Sequence, residues 1–141
     1  MKSYSINYKF ALISCTVVAA IIVLSSCKDT SNSVSTLDEI VFPATDISYE
    51  KQVQPLFNVG CAITGCHDKA TNQNKNLDRT SFAGVRSNFG VVIPGDTTNS
   101  RLIWNIEARP GYAPMPPAKP LSQNQIQGLK RWILEGAKDT P

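Results

Sequence analysis

The sequence predicts a small all-α domain with long loops, and three observations support this fold class. Apolar residues recur at helical spacing in four separate segments, while no segment alternates polar and apolar residues as a half-buried strand does. Polar and proline-rich stretches separate these four segments. The length of 141 residues suits one domain once a processed N-terminal segment is removed.

Residues 1–26 resemble a bacterial secretion signal. Lys2 and Lys9 make the beginning positive, and residues 10–24 form an uncharged apolar run that is short of the roughly 20 residues needed to span a bilayer. The run leads through Ser-Ser into Cys27, as in the lipobox of lipoproteins. We therefore expect Cys27 to carry a lipid that anchors the chain in the bacterial cell envelope, facing the periplasm or the surface. An ordinary signal peptide or a short anchor helix is the alternative.

Removal of this signal leaves a short inventory of reactive side chains. Of 14 Lys and Arg, two lie in the signal, so 12 bases face 11 acids in the mature chain, and a basic nucleic-acid-binding protein is excluded. Besides the lipidated cysteine, the mature chain keeps Cys61 and Cys66, a single histidine, His67, and a single methionine, Met115.

The mature chain is predicted to begin with a flexible tether over residues 27–45, which are rich in Ser, Thr, Asp and Asn and offer little to bury. The folded domain is expected over residues 46–141. Its first helix is predicted over residues 48–58, with a late start or a kink at Pro55. A polar loop is expected at residues 67–78.

The middle of the chain is predicted to hold two short helices and a turn. Thr80 or Ser81 is a suitable cap for a helix that runs through Val85. The Pro-Gly-Asp sequence at residues 94–96 is a strong turn signal. The second short helix is expected over residues 100–106, which carry three apolar residues on one face.

The C-terminal helix has the clearest signature. Residues 108–120 contain five prolines, which exclude regular structure there. Ser122 and Gln125 then form a capping box at the start of a helix, and Gly136 is a suitable stop. The apolar stripe of this helix consists of Ile126, Leu129, Trp132 and Ile133.

The motif that carries chemistry runs from Cys61 to His67 as Cys-Ala-Ile-Thr-Gly-Cys-His. Covalent haem c needs two thiols for its vinyl groups and an imidazole directly after the second thiol for its iron, usually as C-x-x-C-H. Here four residues separate the cysteines, so the extra residues must bulge, and Gly65 eases such a loop. The sequence predicts one haem c, attached at Cys61 and Cys66 and ligated by His67. We expect His67 to donate its other ring N–H to a backbone carbonyl near residues 93–94.

Three other uses of these residues remain open. A disulfide between Cys61 and Cys66 is allowed outside the cytoplasm, although it closes a very short loop and gives His67 no role. A zinc site lacks a fourth His or Cys ligand. A thioredoxin-like redox pair requires C-x-x-C near a βαβ pattern, and the sequence has neither.

Met115 is the predicted sixth ligand of the haem iron. A His/Met pair is the ligation of electron-transfer cytochromes, and the thioether raises the reduction potential because it favours Fe(II). A lone methionine often fills a gap in a core. Met115, however, lies between Pro114 and Pro116 in an irregular segment. It is also the one sulfur ligand left in the mature chain.

Residues 49–137 resemble the cytochrome c domains of planctomycete and related bacterial surface proteins, which belong to the class I cytochrome c fold. The resemblance implies a helical domain around one covalent haem c, with Cys61 and Cys66 as thioether attachments. It also implies His67 and Met115 as axial ligands, and first and last helices that cross beside the haem. Relatives commonly have Arg before the methionine, where this chain has Pro114. The matching pieces are, in order, Pro55-Leu56-Phe57, Cys66-His67, Leu77-Asp78, Val92-Ile93-Pro94-Gly95-Asp96, Ser100, Leu102, Met115-Pro116-Pro117, Leu121-Ser122 and Trp132-Ile133-Leu134-Glu135-Gly136-Ala137.

An iron with both axial positions filled by protein passes electrons and binds no substrate, so the sequence predicts an electron carrier rather than an enzyme. Its expected partners are redox proteins, together with the membrane that holds the lipid. An open-site haem enzyme is one alternative, and it requires Met115 to lie elsewhere. A surface interaction module without haem, stabilised by a Cys61–Cys66 disulfide, is the other. The apolar positions expected to line the haem are Val53, Leu56, Phe57, Phe82, Val85, Ile93, Leu102, Ile103, Ile106, Ile126, Leu129, Trp132 and Ile133.

Overall fold

A computed structural model describes residues 36–71 and 77–141, and every regular element within them is helical. The predicted all-α class is confirmed at this level. The α-helices are α1, Gln54–Gly60; α2, Phe82–Arg86; α3, Arg101–Ile106; and α4, Gln123–Leu134. A 3₁₀ helix spans Leu37–Glu39, and a π-helix spans Tyr49–Val53.

The longest helix, α4, begins and ends where the sequence predicts. The Ser122 hydroxyl accepts the Gln125 backbone N–H, and the Gln125 side chain accepts the Ser122 N–H in return, which completes the capping box. At the other end Gly136 has a φ of +98°, a backbone conformation that favours glycine, and its N–H donates to Ile133. The predicted apolar stripe is buried along its whole length.

The first helical region is continuous but changes its winding before Pro55. Ser48 caps it by accepting the Lys51 N–H, and the π-helix then bonds Val53 N–H back to the Ser48 carbonyl. Pro55 falls in the first turn of α1, where its fixed φ suits the start of an α-helix. The proline therefore starts α1 rather than breaking the helical region. The helix predicted over residues 48–58 forms: the helical region begins at Tyr49, and its α-helical part begins at Gln54.

The two short helices and the turn between them also form as predicted. Ser81 caps α2 by accepting the Gly84 N–H at 3.2 Å. Ser100, which is fully buried, precedes α3 and joins it to the turn, because its hydroxyl donates to the Asp96 carbonyl at 2.6 Å and accepts the Ile93 N–H at 2.9 Å. Residues 108–120 contain no regular element, as their prolines predict.

The predicted tether ends earlier than residue 45, because residues 37–42 bind to α4. The Gln125 amide donates to the carbonyls of Leu37 and Ile40, and Asn124 exchanges two hydrogen bonds with the Phe42 backbone. The Phe42 ring crosses α4 at Gly128, where a Cβ atom would overlap it. The tether was predicted from the polar composition of residues 27–45 as a whole. Two buried apolar residues, Ile40 and Phe42, and four hydrogen bonds to the backbone nevertheless hold residues 37–42 against α4.

One buried cluster forms the core, and most of it comes from the predicted helices. Phe82, Ile93 and Leu102 were expected inside and are only partly buried. The core members outside the predicted list are Ile40, Phe42, Ile47, Tyr49, Val91, Val92, Leu121 and Ala137.

The predicted signal at residues 1–26, the lipidated Cys27 and the tether up to residue 35 lie outside the described residues. Among the helices that are described, none has the length and apolar character required to cross a membrane.

The docked segment gives a stability prediction. Phe42→Ala should lower the free energy of unfolding by about 3–5 kcal/mol, because it empties a buried site against α4. Val41→Ala is the matched control, since this neighbour is 69% exposed and its truncation should change stability by less than about 0.5 kcal/mol. Urea unfolding of the exported chain, followed by tryptophan fluorescence, measures both. Equal effects of the two substitutions would show that the segment does not dock.

Candidate functional site

The Cys61–His67 loop begins directly at the end of α1 and returns to its own starting point. The Cys61 N–H donates to the Phe57 carbonyl at 2.8 Å, which makes the first cysteine a continuation of the helix. The His67 N–H then donates to the Cys61 carbonyl at 3.1 Å, and Cys66 N–H to Ile63 at 2.9 Å. The backbone of the first cysteine thus lies against that of the histidine, and the intervening residues bulge away as predicted.

Gly65 makes the bulge possible. Its φ of +85° is in the left-handed region, and its N–H donates to the Asp68 carboxylate at 2.9 Å. Hydrogen bonds from Thr71 and Gly65 lower the pKa of the Asp68 carboxyl. The four-residue spacing between the cysteines is therefore accommodated by a glycine turn and a charged acceptor just after it.

His67 is oriented by the backbone that follows the loop. Its Nδ1 lies 3.1 Å from the Leu77 carbonyl oxygen, so Nδ1 carries the proton and donates, which leaves the Nε2 lone pair for another partner. A backbone acceptor was predicted, but its position at residues 93–94 is wrong: the Ile93 carbonyl accepts the Asp96 N–H at 3.0 Å within its own turn. Burial, and then the charge of Arg79, lower the pKa of His67, and both effects favour the neutral imidazole.

The two cysteines differ in their surroundings. Cys66 is exposed, whereas Cys61 packs against the core, and burial raises the pKa of its thiol to about 12. No disulfide joins these two cysteines, which are the ones that the described residues contain.

Arg79 is a neighbour of the loop that the sequence did not point to. Its backbone N–H donates to the His67 carbonyl at 2.9 Å, and its residue surface is only 4% exposed. The sequence placed it at the edge of a polar loop, between Asp78 and Thr80, where a charged residue is ordinarily solvated. Local composition held no signal for its burial.

Met115 is held by the end of α3. Its backbone N–H donates to the Asn105 carbonyl at 3.1 Å, and the Asn105 side-chain amide donates to the Ala113 carbonyl at 2.8 Å. The methionine is partly buried. Within residues 36–71 and 77–141, no hydrogen bond or ring contact joins Met115 to the Cys61–His67 loop. The structure therefore brings Cys61, Cys66 and His67 together, and the sixth-ligand role of Met115 stays a prediction.

In the part of the chain that is described, no three His, Cys, Asp or Glu side chains gather in a way that would hold a metal ion by themselves. A haem iron does not need such a cluster, because the porphyrin supplies four nitrogen ligands and the protein only the axial ones.

Comparison of the chain with protein-family models, with curated proteins and with solved structures finds no match in any of the three. The resemblance to class I cytochromes c thus stays a prediction from the sequence motifs.

The thiol environment of the loop gives a pH prediction. In the haem-free chain at pH 8, a pKa of about 12 leaves roughly one Cys61 thiol in 10,000 ionised, so iodoacetamide should modify the exposed Cys66 first. Because the thiolate is the reactive form, the Cys61 rate should rise about tenfold per pH unit up to that pKa. Mass spectrometry of the alkylated peptides measures both rates. Faster modification of Cys61 at pH 8 would contradict its burial.

Proposed function

We propose that this protein is an electron carrier with one covalently bound haem c, tethered to a bacterial membrane by a lipid on Cys27. The observation that carries the proposal is the arrangement of the Cys61–His67 loop. Two thiols in one short closed loop are followed at once by an imidazole whose Nδ1 is already engaged, so that its Nε2 is available to iron.

The residues of the loop fit haem c in their chemistry. No disulfide joins Cys61 to Cys66, and thiols are the groups that form thioethers with haem c. The lowered pKa of His67 favours the neutral ring that ligates iron. When bound, the haem supplies an iron that exchanges one electron with a partner protein. In this proposal Cys61 and Cys66 hold the porphyrin, and Leu77 orients the imidazole.

The carrier function depends on Met115 as the second axial ligand. Its thioether is a soft donor that stabilises Fe(II), which suits an electron carrier of raised potential. Asn105 supports this role because it holds residues 113–115 through both its backbone and its side chain. A methionine on a firmly bonded segment keeps one position, as a permanent ligand must.

The lipid anchor rests on the sequence of residues 1–27, whose apolar run ends at a cysteine in lipobox context. Anchoring would confine the domain near a membrane surface, where redox partners in the same envelope are concentrated. In this proposal residues 28–35, of which three are serine, act as the tether between the lipid and the domain.

The first test of the proposal is covalent haem retention. The full chain, exported in a bacterial host with haem c maturation, should keep about one haem through acid–acetone extraction, measured as its pyridine haemochrome. Cys61→Ser with Cys66→Ser should keep none, because no thioether can form. Thr45→Ser is a control at an exposed position of the mature chain outside the loop and should leave haem retention unchanged. An unmodified chain without haem, beside a control cytochrome that is matured, would reject the proposal.

The second test separates a carrier from an open-site haem enzyme. Carbon monoxide should not bind the reduced native protein, because Met115 fills the sixth position, whereas it should bind Met115→Ala. The same substitution should lower the reduction potential, since the thioether no longer stabilises Fe(II). Absorption spectra with and without carbon monoxide measure the binding. Equal carbon monoxide binding by both proteins would favour the open-site alternative and reject the carrier.

A further inference from the structure

We infer that the buried guanidinium of Arg79 sets the electrical potential of the proposed haem site and raises the affinity of the iron for an electron. The inference rests on the proposed function and names a tuning residue within it. No sequence motif includes Arg79, but its side chain is buried and its backbone is bonded to His67.

The first step is that Arg79 is a buried charge that forms no ion pair among the described residues, although the Asp78 carboxylate acts on it electrostatically. Arg79 is 4% exposed and is the one buried residue with a charged side chain in the described part of the chain. Its guanidinium Nη1 donates to two backbone carbonyls, Asp78 at 2.9 Å and Gly84 at 3.4 Å. The ion pairs found among the described residues all lie elsewhere, at Glu107 and Asp38. Carbonyl dipoles solvate the cation but do not cancel its charge.

The second step is the position of that charge. The Arg79 backbone is bonded to the His67 carbonyl, so the residue is tied to the predicted iron ligand itself. The carbonyl oxygen of Leu77, two positions before Arg79, lies 3.1 Å from His67 Nδ1, so the segment that contains Arg79 is bonded twice to the proposed proximal ligand. Arg79 therefore lies beside the proximal part of the proposed haem site.

The third step is electrostatic. One-electron reduction moves an electron from a reduced partner protein to ferric iron, which lowers the positive charge of the haem by one. A fixed cation nearby disfavours the ferric form more than the ferrous form and so raises the reduction potential. Water and salt screen a surface charge from the iron, but they screen a buried one much less. The burial of Arg79 is what makes its effect large.

A substitution series on the full haem-loaded chain tests the inference. Arg79→Gln removes the charge and keeps a hydrogen-bond donor, whereas Arg79→Lys keeps the charge. Arg101→Gln is the matched control, because Arg101 is exposed and its guanidinium donates to the Asn88 side chain. Spectroelectrochemical titration at low and at high salt measures the midpoint potential of each protein.

We expect Arg79→Gln to lower the equilibrium constant for reduction about tenfold, which is about 59 mV for one electron. The decrease should persist at high salt, because the charge is buried. Arg79→Lys and Arg101→Gln should each remain within about twofold of the native constant.

Two results would overturn the inference. One is a native potential in Arg79→Gln. The other is loss of haem from both neutral variants, Arg79→Gln and Arg79→Met, which would make Arg79 a structural requirement rather than a tuning residue. A native chain that carries no haem rejects the proposed function as well. A native chain that holds haem while Arg79→Gln keeps its potential rejects the inference alone.

Discussion

The contact of Trp132 with the first helical region is the interaction on which the rest of the structure depends. Its indole, buried in α4, lies 5.7 Å from the Tyr49 ring and 6.5 Å from the Phe57 ring, measured between centroids. Aromatic pairs at these distances bury a large apolar area in a specific geometry. The contact joins the two ends of the domain. It also fixes Phe57, whose carbonyl receives the Cys61 N–H, so the last helix indirectly places the start of the loop.

In the loop that follows α1, backbone hydrogen bonds rather than side-chain packing hold the residues in place. His67 and the segment at residues 77–79 are joined twice, once through the imidazole and the Leu77 carbonyl, and once through the His67 carbonyl and the Arg79 N–H. Two bonds between short segments define an orientation that one bond leaves free to rotate. A histidine held in this way keeps its ring direction without a bound partner, which is the preorganisation that a ligand needs.

The buried polar side chains have distinct tasks in this small core. Ser100 fastens a turn to α3, and Gln125 fastens residues 37–40 to α4. Among the described residues no buried side-chain nitrogen or oxygen lacks a hydrogen bond, so these groups cost little beyond the apolar area they displace. Arg79 differs because its Nη1 atom donates to two backbone carbonyls while the guanidinium forms no ion pair among the described residues. Burial of such a charge costs desolvation free energy that an apolar residue would not cost.

Local signals in the sequence were sufficient for the helices, the caps at Ser81 and Ser122, the turn at residues 94–96 and the cysteine–histidine motif, because each of these depends on residues near one another in the chain. Tertiary structure alone decided that Phe42 docks at Gly128, that Leu77 rather than Ile93 receives the imidazole, and that Arg79 is buried. Phe42 and Gly128 lie 86 positions apart, and His67 and Leu77 lie ten apart. No sequence periodicity relates either pair. The burial of Arg79 depends on which other segments of the chain pack over its side chain. The residues near a position in the sequence do not specify which distant residues will pack against it. The docking of Phe42, the acceptor of the His67 imidazole and the burial of Arg79 all depend on such distant contacts.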